Sequence, residues 1–213
     1  MTTPEINYYI ENHTTAEDDF LYELNRLTHL RTFYPNMLSG RVQGKFLEML
    51  MHMLKPGRVL EIGTFTGYSA VAMAKALDSG ALLYTLENNE ELESFLTETL
   101  SKSGQGDKIK LIMGDALQII PRLNETFDFV FIDADKEQYL DYYNAVFPKV
   151  KNGGFILADN VLWGGKAAAE IKNPDKETKG IRAFNDFVMN DDRVEQVMLT
   201  IRDGLLLMRK VKG

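Results

Sequence analysis

Cysteine is absent from the 213-residue sequence, and its absence excludes several kinds of chemistry. A chain without thiols cannot form disulfides, thiolate zinc sites, iron–sulfur clusters or cysteine nucleophiles. Histidine is scarce as well, because only His13, His29 and His52 occur and they lack the spacing of metal ligands. Any metal that binds this chain is therefore expected to be a hard ion held by oxygen atoms.

Positively charged residues are outnumbered by acidic ones, and long apolar runs are absent from the sequence. The chain has 24 Lys and Arg residues against 31 Asp and Glu residues, a formal net charge of −7, which argues against nucleic acids and anionic membranes as partners. No apolar run reaches the roughly 18 residues that a membrane-spanning helix requires. Residues 1–20 are polar and acidic rather than typical of a signal peptide, so we expect a cytoplasmic protein.

What remains is the composition of a globular protein, with 45% hydrophobic and 26% charged residues. The length suits one domain, and we expect residues 1–213 to form it, with residues 1–56 as a helical addition. Two helices are predicted in that addition, one over apolar positions from 20 to 30 that starts at Thr14 or Thr15, and one over 41–54. For the methionines of the second helix, filling of the core is favoured over a soft ligand site. They are Met49, Met51 and Met53.

From residue 58 onward, short apolar segments alternate with amphipathic ones. This alternation predicts a doubly wound α/β domain, in which helices cover a mostly parallel sheet. The predicted strands are 58–62, 82–86, 110–113, 127–132 and 155–158, and the predicted helices lie near 67–77, 90–102 and 137–150. Two further β-rich runs, 194–202 and 205–210, are separated by Asp203-Gly204, which predicts a two-residue hairpin and an antiparallel end to the sheet.

The segment 163–179 lacks clear periodicity and contains Gly164, Gly165 and Pro174. It follows a strand of the predicted sheet, so it is placed to act as a mobile lid or substrate loop. A plain surface connection is the alternative.

The first predicted strand ends in a glycine-rich turn. The segment VLEIGTFTGYS has an E-x-G-x-x-x-G pattern, not the G-x-G-x-x-G of dinucleotide-binding proteins. Glu61 would repel a pyrophosphate but suits S-adenosylmethionine, which carries positive charge and ribose hydroxyls. Glu87 ends the second strand, where an acid accepts hydrogen bonds from such hydroxyls. Asp115 and Ala116 follow the third strand, where adenine contacts are expected, and we therefore favour adenosylmethionine over NAD.

Acidic side chains follow the fourth and fifth predicted strands. If these strands are neighbours, Asp133, Asp159 and Asn160 converge at one edge of the sheet and offer an open oxygen site for Mg²⁺. The alternative is that the two aspartates only cap helices or turns. Lys136 is close enough to share the site and, with a lowered pKa, to act as a general base. A solvent-exposed lysine, or a partner for Asp135, is the other interpretation.

Three segments, VLEIGTFTGYSA, FIDADKEQYLDYY and GGFILADNVLWGG, resemble the cation-dependent O-methyltransferases, the group of the caffeoyl-CoA and catechol O-methyltransferases. The similarity runs from about residue 37 to the C-terminus. The resemblance implies a Rossmann-like seven-stranded sheet that ends in an antiparallel hairpin. It also implies adenosylmethionine as the methyl donor, together with Mg²⁺ or another hard divalent cation such as Ca²⁺ or Mn²⁺. Related enzymes are commonly dimers, so a homodimer is expected.

The resemblance implies roles for individual residues as well. The metal ligands would be Asp133, Asp159 and Asn160. The donor site would comprise Met37, Ser39, Glu61, Gly63, Thr64, Ser69, Glu87, Asp115, Ala116 and Asp133. Lys136 and Asp133 would be catalytic, and the residues near the acceptor would be Lys136, Trp163 and Asp203.

The expected reaction is methyl transfer to one hydroxyl of a catechol-like small molecule. Methylation of caffeoyl-CoA-type esters is an alternative, although the plant enzymes use an N-terminal lysine near the CoA moiety and the first lysine here is Lys45. The remaining candidate functions are those of an RNA or protein methyltransferase, a donor-binding module without catalysis and an NAD-dependent oxidoreductase. The acidic charge counts against RNA.

Overall fold

Helices and strands alternate along most of the chain in a computed structural model, which describes residues 3–212. The strands are β1 (Arg58–Ile62), β2 (Leu82–Glu87), β3 (Ile109–Met113), β4 (Phe127–Ile132), β5 (Val150–Ala158), β6 (Val194–Leu199) and β7 (Leu205–Lys210). The helices are α1 (Pro4–Asn12), α2 (Asp19–Arg31), α3 (Gly40–Leu54), α4 (Tyr68–Lys75), α5 (Glu93–Lys102), α6 (Ala116–Ile119), α7 (Tyr139–Val146) and α8 (Lys176–Met189).

The strands form a seven-stranded sheet in the order β3-β2-β1-β4-β5-β7-β6. β1 pairs with β4 and β4 with β5 in parallel, whereas β7 pairs with β5 and with β6 in antiparallel orientation. This mixed, mostly parallel sheet with an antiparallel C-terminal end confirms the predicted α/β architecture. The core-facing strands are almost continuously apolar, as expected when helices cover both faces.

The described chain divides into two compact units. One contains residues 58–63 and 115–212, with strands β1 and β4 to β7. The other contains residues 3–57 and 64–114, with the N-terminal helices and strands β2 and β3.

Several predicted boundaries are wrong for local reasons. α2 begins after Asp18, whose carboxylate accepts a hydrogen bond from the Leu21 N–H at 2.9 Å, so neither threonine before it starts the helix. α8 begins at Lys176, and the irregular segment after β5 is therefore shorter than predicted. α7 ends at Val146, before a short 3-10 turn that contains Pro148.

The two ends of the sheet also differ from the prediction. β5 begins at Val150 rather than at 155, and its glycine-containing start is shifted in register against β4. The link from β6 to β7 spans residues 200–204, because Leu199 pairs with Leu205 and Asp203-Gly204 is only the last part of the turn. Of the three methionines on α3, only Met51 is buried, while Met49 and Met53 are exposed, so core filling holds for one of them.

No helix among residues 3–212 is long and apolar enough to cross a membrane.

Candidate active site

The ends of β4 and β5 bring two carboxylates to the same edge of the sheet. Ile132 and Ala158 are partners in the parallel ladder, and the Asp159 N–H donates to the Ile132 carbonyl at 2.9 Å. Asp133 and Asp159 therefore follow directly paired residues. The convergence predicted for these two residues is thus observed, because consecutive parallel strands end at one edge.

Lys136 lies beside Asp133 and is buried. Its Nζ donates to Asp133 Oδ1 at 2.8 Å and to the Tyr139 hydroxyl oxygen at 2.8 Å. The Tyr139 hydroxyl in turn donates to the Asp159 carbonyl at 3.0 Å. Lys136 is thus neither an exposed lysine nor a partner of Asp135, whose carboxylate instead caps the turn at residues 136–138.

The charge of Lys136 is stabilised rather than suppressed. Burial by itself lowers the pKa of the ammonium group, but the charge of Asp133 and the hydrogen bonds with Asp133 and Tyr139 outweigh burial, so the pKa of Lys136 is raised. The expectation of a lowered pKa is therefore not met in this structure. Burial also raises the pKa of the Tyr139 hydroxyl, and the nearby carboxylates add to that effect.

Asp159 and Asn160 form a tight bend at the end of β5. The Asn160 N–H donates to Asp159 Oδ1 at 2.6 Å, and Asn160 has a left-handed backbone with φ of 55°. Asn is one of the few non-glycine residues that adopt this conformation readily. Within residues 3–212, no group of three or more His, Asp or Glu side chains is arranged to hold a metal ion.

Trp163 follows this bend and also has a positive φ, of 47°. Its indole Nε1 is buried and has no hydrogen-bond partner among the described residues. Asp203 lies nearby through its contacts with the same loop, because its carboxylate accepts a hydrogen bond from the Gly164 N–H at 2.7 Å. Asp203 therefore supports the loop that carries Trp163.

Of the residues predicted to bind the donor, the first unit contains Glu61 and Gly63. Glu61 is fully buried in β1. Gly63 has φ of 94°, and a Cβ at this position would lie 1.9 Å from the Asp133 carbonyl oxygen. Glycine is required there because the turn after β1 runs against the turn after β4. In the same unit, Asp115 caps α6 through the Leu117 N–H at 2.9 Å, and Ala116 is buried.

The second unit contains Glu87, another residue predicted to bind the donor, at the end of β2. Its two carboxylate oxygens accept hydrogen bonds from the Phe65 N–H at 2.8 Å and the Asn89 N–H at 2.9 Å. The carboxylate is thereby fixed in place, and each oxygen keeps a further lone pair for a hydroxyl donor. The Thr64 hydroxyl is 2.6 Å from that of Thr85 in the interior, so its role is structural in this conformation.

The remaining predicted donor residues of this unit differ in exposure. Ser69 lies in the first turn of α4 and is buried. Ser39 precedes α3 and is buried as well, whereas Met37 is exposed.

Sequence reasoning missed two residues of this region. Tyr139 anchors Lys136, and its position three residues further along a helical turn is the signal that could have found it. Arg182 of α8 donates to main-chain carbonyls in the loop after β5. Nothing in the local sequence pattern distinguishes it from a solvated arginine.

A family model described as O-methyltransferase matches residues 11–211. The chain belongs to the O-methyltransferase family. This membership confirms the resemblance drawn from the three motifs, and with it the prediction that the protein is an enzyme of the methyltransferase class.

Individual relatives agree with this assignment. This O-methyltransferase is 36% identical to a caffeoyl-CoA O-methyltransferase of Eucalyptus gunnii over 188 residues, which cover 83% of this chain and 75% of the relative. It superposes on the O-methyltransferase TomG of Streptomyces achromogenes, solved in complex with SAM, with a TM-score of 0.90, 27% identity and 100% of both chains covered. The SAH-bound methyltransferase PaMTH1 of Podospora anserina gives a TM-score of 0.89 and 29% identity, with 97% of this chain and 94% of that chain covered.

Proposed function

We propose that this protein transfers a methyl group from S-adenosylmethionine to one hydroxyl of a catechol-like small molecule, with a hard divalent cation such as Mg²⁺ at its site. The observation that carries the proposal is the pairing of Ile132 with Ala158, which puts Asp133 and Asp159 side by side beside a buried lysine. The acid pair suits a hard cation, and such a cation together with the adjacent ammonium group suits a reaction in which a hydroxyl oxygen gains negative charge.

The methyl donor is supported by the solved structures of similar proteins that contain SAM or SAH. Glu87 is the residue best prepared for the donor, since main-chain N–H groups already fix its carboxylate where ribose hydroxyls can donate to it. We assign the other donor contacts as the resemblance implies. They are Met37, Ser39, Glu61, Gly63, Thr64, Ser69, Asp115, Ala116 and Asp133.

The residues after β4 and β5 fit a hard cation. Asp133 uses one oxygen for Lys136, and its other oxygen has no donor among residues 3–212. Asp159 and Asn160 would supply the remaining protein ligands, and all of these atoms are oxygens of the kind that Mg²⁺, Ca²⁺ or Mn²⁺ prefers. When bound, the cation would supply positive charge that lowers the pKa of a phenolic hydroxyl.

Lys136 and Trp163 would act on the acceptor. The Lys136 ammonium, held between Asp133 and Tyr139, would donate a hydrogen bond to the acceptor oxygen that becomes negatively charged. Trp163 would flank the aromatic ring of the acceptor, as the resemblance implies. Asp203 would act indirectly, by holding the Gly164 N–H.

A free catechol is favoured over a CoA ester as the acceptor. The first lysine of the chain, Lys45, lies on α3 and forms an ion pair with Glu48 at 2.6 Å. Similar proteins are named caffeoyl-CoA O-methyltransferases, so a CoA ester is the second candidate acceptor.

A labelled-methyl assay tests the proposal. We expect transfer to catechols, loss of transfer in excess EDTA, and its recovery when Mg²⁺ is added back beyond the chelator. A monophenol with one hydroxyl is the matched control substrate and should remain unmethylated. Full activity in excess EDTA would contradict the proposed requirement for a cation. Transfer only to CoA esters would contradict the proposed catechol acceptor.

We also propose a homodimer. The N-terminal segment exposes large apolar side chains, and helix α1 buries none of its residues. An accumulation of exposed large apolar side chains is typical of protein interfaces. Phe33, which is 96% exposed, is the clearest example. Sedimentation equilibrium should give twice the 24.2 kDa mass of one chain, and a monomer at micromolar concentration would contradict the proposal.

A further inference from the structure

The loop after β5 is held in an unusual backbone conformation. We call residues 160–169 the acceptor loop. Four of its residues have left-handed backbones, namely Asn160, Trp163, Gly164 and Gly165, with φ of 55°, 47°, 62° and 81°. For a bulky residue such as Trp163 this conformation is sterically unfavourable, so surrounding contacts must maintain it.

One side of the acceptor loop is held by the turn before β7. The Asp203 carboxylate accepts a hydrogen bond from the Gly164 N–H at 2.7 Å, and the Asp203 carbonyl accepts one from the Leu162 N–H at 3.0 Å. These contacts fix the residues on either side of Trp163. They leave the second half of the loop, residues 166–169, to be held from elsewhere.

Arg182 of α8 holds that second half. Its Nε donates to the Ala167 carbonyl at 3.1 Å, and its Nη2 donates to the Lys166 carbonyl at 2.7 Å and to the Ala169 carbonyl. A planar guanidinium group satisfies several carbonyls in a fixed geometry, which a single ammonium group does less well. The Lys166 N–H donates in turn to the Trp163 carbonyl at 3.0 Å, so the turn that Arg182 binds is continuous with Trp163.

The same helix lies against the turn that carries Lys136. At Gly180, two residues before Arg182, a Cβ would come within 2.4 Å of the Lys136 carbonyl oxygen. α8 therefore contacts both sides of the proposed acceptor position, the turn of Lys136 through its main chain at Gly180 and the acceptor loop through the Arg182 side chain. Asn185 adds a third contact, from its Nδ2 to the Val161 carbonyl at 2.9 Å.

We propose that Arg182 is a positioning residue that sets the acceptor specificity of this enzyme by clamping the acceptor loop, and with it the Trp163 ring, at a fixed distance from Lys136. The inference rests on the proposed function for its kinetic consequences. It changes the interpretation of this segment, because a clamped loop is a preformed wall of the site rather than the mobile lid that its irregular sequence suggested. An ion pair between Lys166 and Asp175, at 2.7 Å, also holds the loop against the start of α8.

Trp163 is the single tryptophan of the chain, so its fluorescence reports on the loop directly. We would compare the wild type with Arg182→Gln, which removes the charge and two of the donor groups, and with Arg182→Lys, which keeps the charge. Arg209→Gln is the matched control, since Arg209 is exposed and, among residues 3–212, its side chain pairs only with Glu195 at 3.4 Å. Quenching of the Trp163 emission by acrylamide should increase in Arg182→Gln, increase less in Arg182→Lys, and stay unchanged in Arg209→Gln.

The kinetic readouts separate positioning from folding. In Arg182→Gln we expect the KM for the catechol to rise about tenfold, because a ring displaced by about 1 Å loses its alignment. The affinity for adenosylmethionine should stay within about twofold, since donor contacts are untouched. The ratio of the two ring-position isomers of the methylated product should move towards equality, and Arg182→Lys should restore part of the preference. A merely structural residue would lower the amount of folded enzyme without changing this ratio.

The two proposals fail in different ways. If the wild type does not methylate catechols but quenching still rises in Arg182→Gln, the loop clamp stands and the acceptor class is wrong. If the wild type methylates catechols while Arg182→Gln leaves quenching, KM and the isomer ratio unchanged, the clamp is overturned. Should Arg182→Gln not fold, Arg182→Lys must show the same changes to a smaller degree, and wild-type behaviour in that folded variant would overturn the clamp as well.

Discussion

Two acid–cation–tyrosine clusters lie in the same unit of the molecule, and both are built on helix α7. The lysine cluster consists of Asp133, Lys136 and Tyr139. The arginine cluster consists of Asp191, Arg193 and Tyr143. Their two tyrosines are one helical turn apart, and both rings pack edge-on against Phe184, at 5.6 and 6.0 Å.

In the arginine cluster, both carboxylate oxygens accept hydrogen bonds. Arg193 binds Asp191 with two hydrogen bonds, from Nε to Oδ1 at 2.8 Å and from Nη2 to Oδ2 at 2.6 Å. The Tyr143 hydroxyl donates a third, to Oδ2 at 2.8 Å. A bidentate pair of this kind fixes both partners and leaves no oxygen of the carboxylate without a donor. It suits a structural role.

In the lysine cluster, the carboxylate can still accept a further ligand. Lys136 engages one oxygen of Asp133 through a single nitrogen, and the cluster lies at the carboxyl edge of the parallel strands. A ligand or cation can therefore use the second oxygen without dismantling a bidentate pair. The comparison indicates that the number of satisfied oxygens separates a cluster built for binding from one built for stability.

The sharpest way to test this comparison is to neutralise the acid of each cluster in turn. In Asp133→Asn we expect the turnover to fall on the order of 1000-fold, because the variant loses a proposed cation ligand and leaves the Lys136 ammonium without its counter-charge. Turnover would be measured by labelled-methyl transfer, and folding by circular dichroism. Asp191→Asn is the matched control and should keep its turnover within about threefold, since its cluster lies outside the site. Equal losses in the two variants would remove the distinction between the clusters.

Replacing the lysine of the lysine cluster should lower activity less than replacing its acid. In Lys136→Met we expect kcat to fall on the order of 100-fold while the protein stays folded, because the ammonium group that stabilises the developing negative charge is lost. The matched control is Lys210→Met. Lys210 is also buried in this unit, but within the described part of the chain its ammonium group donates only to the carbonyls of Phe147 and Val150, at 3.1 and 3.0 Å.

Lys210→Met should therefore lose stability and keep kcat, with both measured in the same preparations by thermal unfolding and by initial rates. A kcat in Lys136→Met close to that of the wild type would remove Lys136 from the chemistry.

The sequence was enough to predict that Lys136 lies close to Asp133, but it predicted neither the contact of Lys136 with Tyr139 nor the arginine cluster. Asp133 and Asp159 follow apolar strands, so the parallel ladder alone brings them together, and the turn after β4 is short enough to bring Lys136 back to Asp133. Asp191 and Arg193 follow a helix and precede an edge strand, where charged residues are ordinarily solvated. Only the packing of α7 against α8 reveals that Tyr143 reaches them.

The boundaries of strands and the contacts of Arg182 show the same limit of prediction from sequence. Strand β4 was predicted to the residue because its apolar run is uninterrupted, whereas the start of β5 was missed because Gly153 and Gly154 interrupt the pattern. Arg182 was missed because its partners are main-chain carbonyls, which leave no trace in the residue types of the loop. Contacts between side chains and distant main chain depend on tertiary packing, and local sequence does not encode them.

The smallest expected effect concerns stability, and it defines what the arginine cluster contributes. The hydrogen bonds from Arg193, and further ones from Tyr143 and the main chain, outweigh burial and lower the pKa of Asp191 to about 2 from its usual 3.8. The cluster should therefore stabilise the fold above about pH 4, where an unfolded Asp is ionised, and lose that contribution as the pH falls through 2.

Because Arg193 is partly exposed, we expect Asp191→Asn to lower the free energy of unfolding at pH 7 by only about 1 kcal/mol. Urea unfolding of the two proteins at pH 7, 4, 3 and 2 measures the difference, which should shrink towards the lowest pH as the wild-type Asp191 itself becomes protonated. A difference that stayed constant down to pH 2 would show that the carboxylate contributes through its packing and not through its charge. The arginine cluster would then no longer serve as the charged, structural counterpart of the lysine cluster.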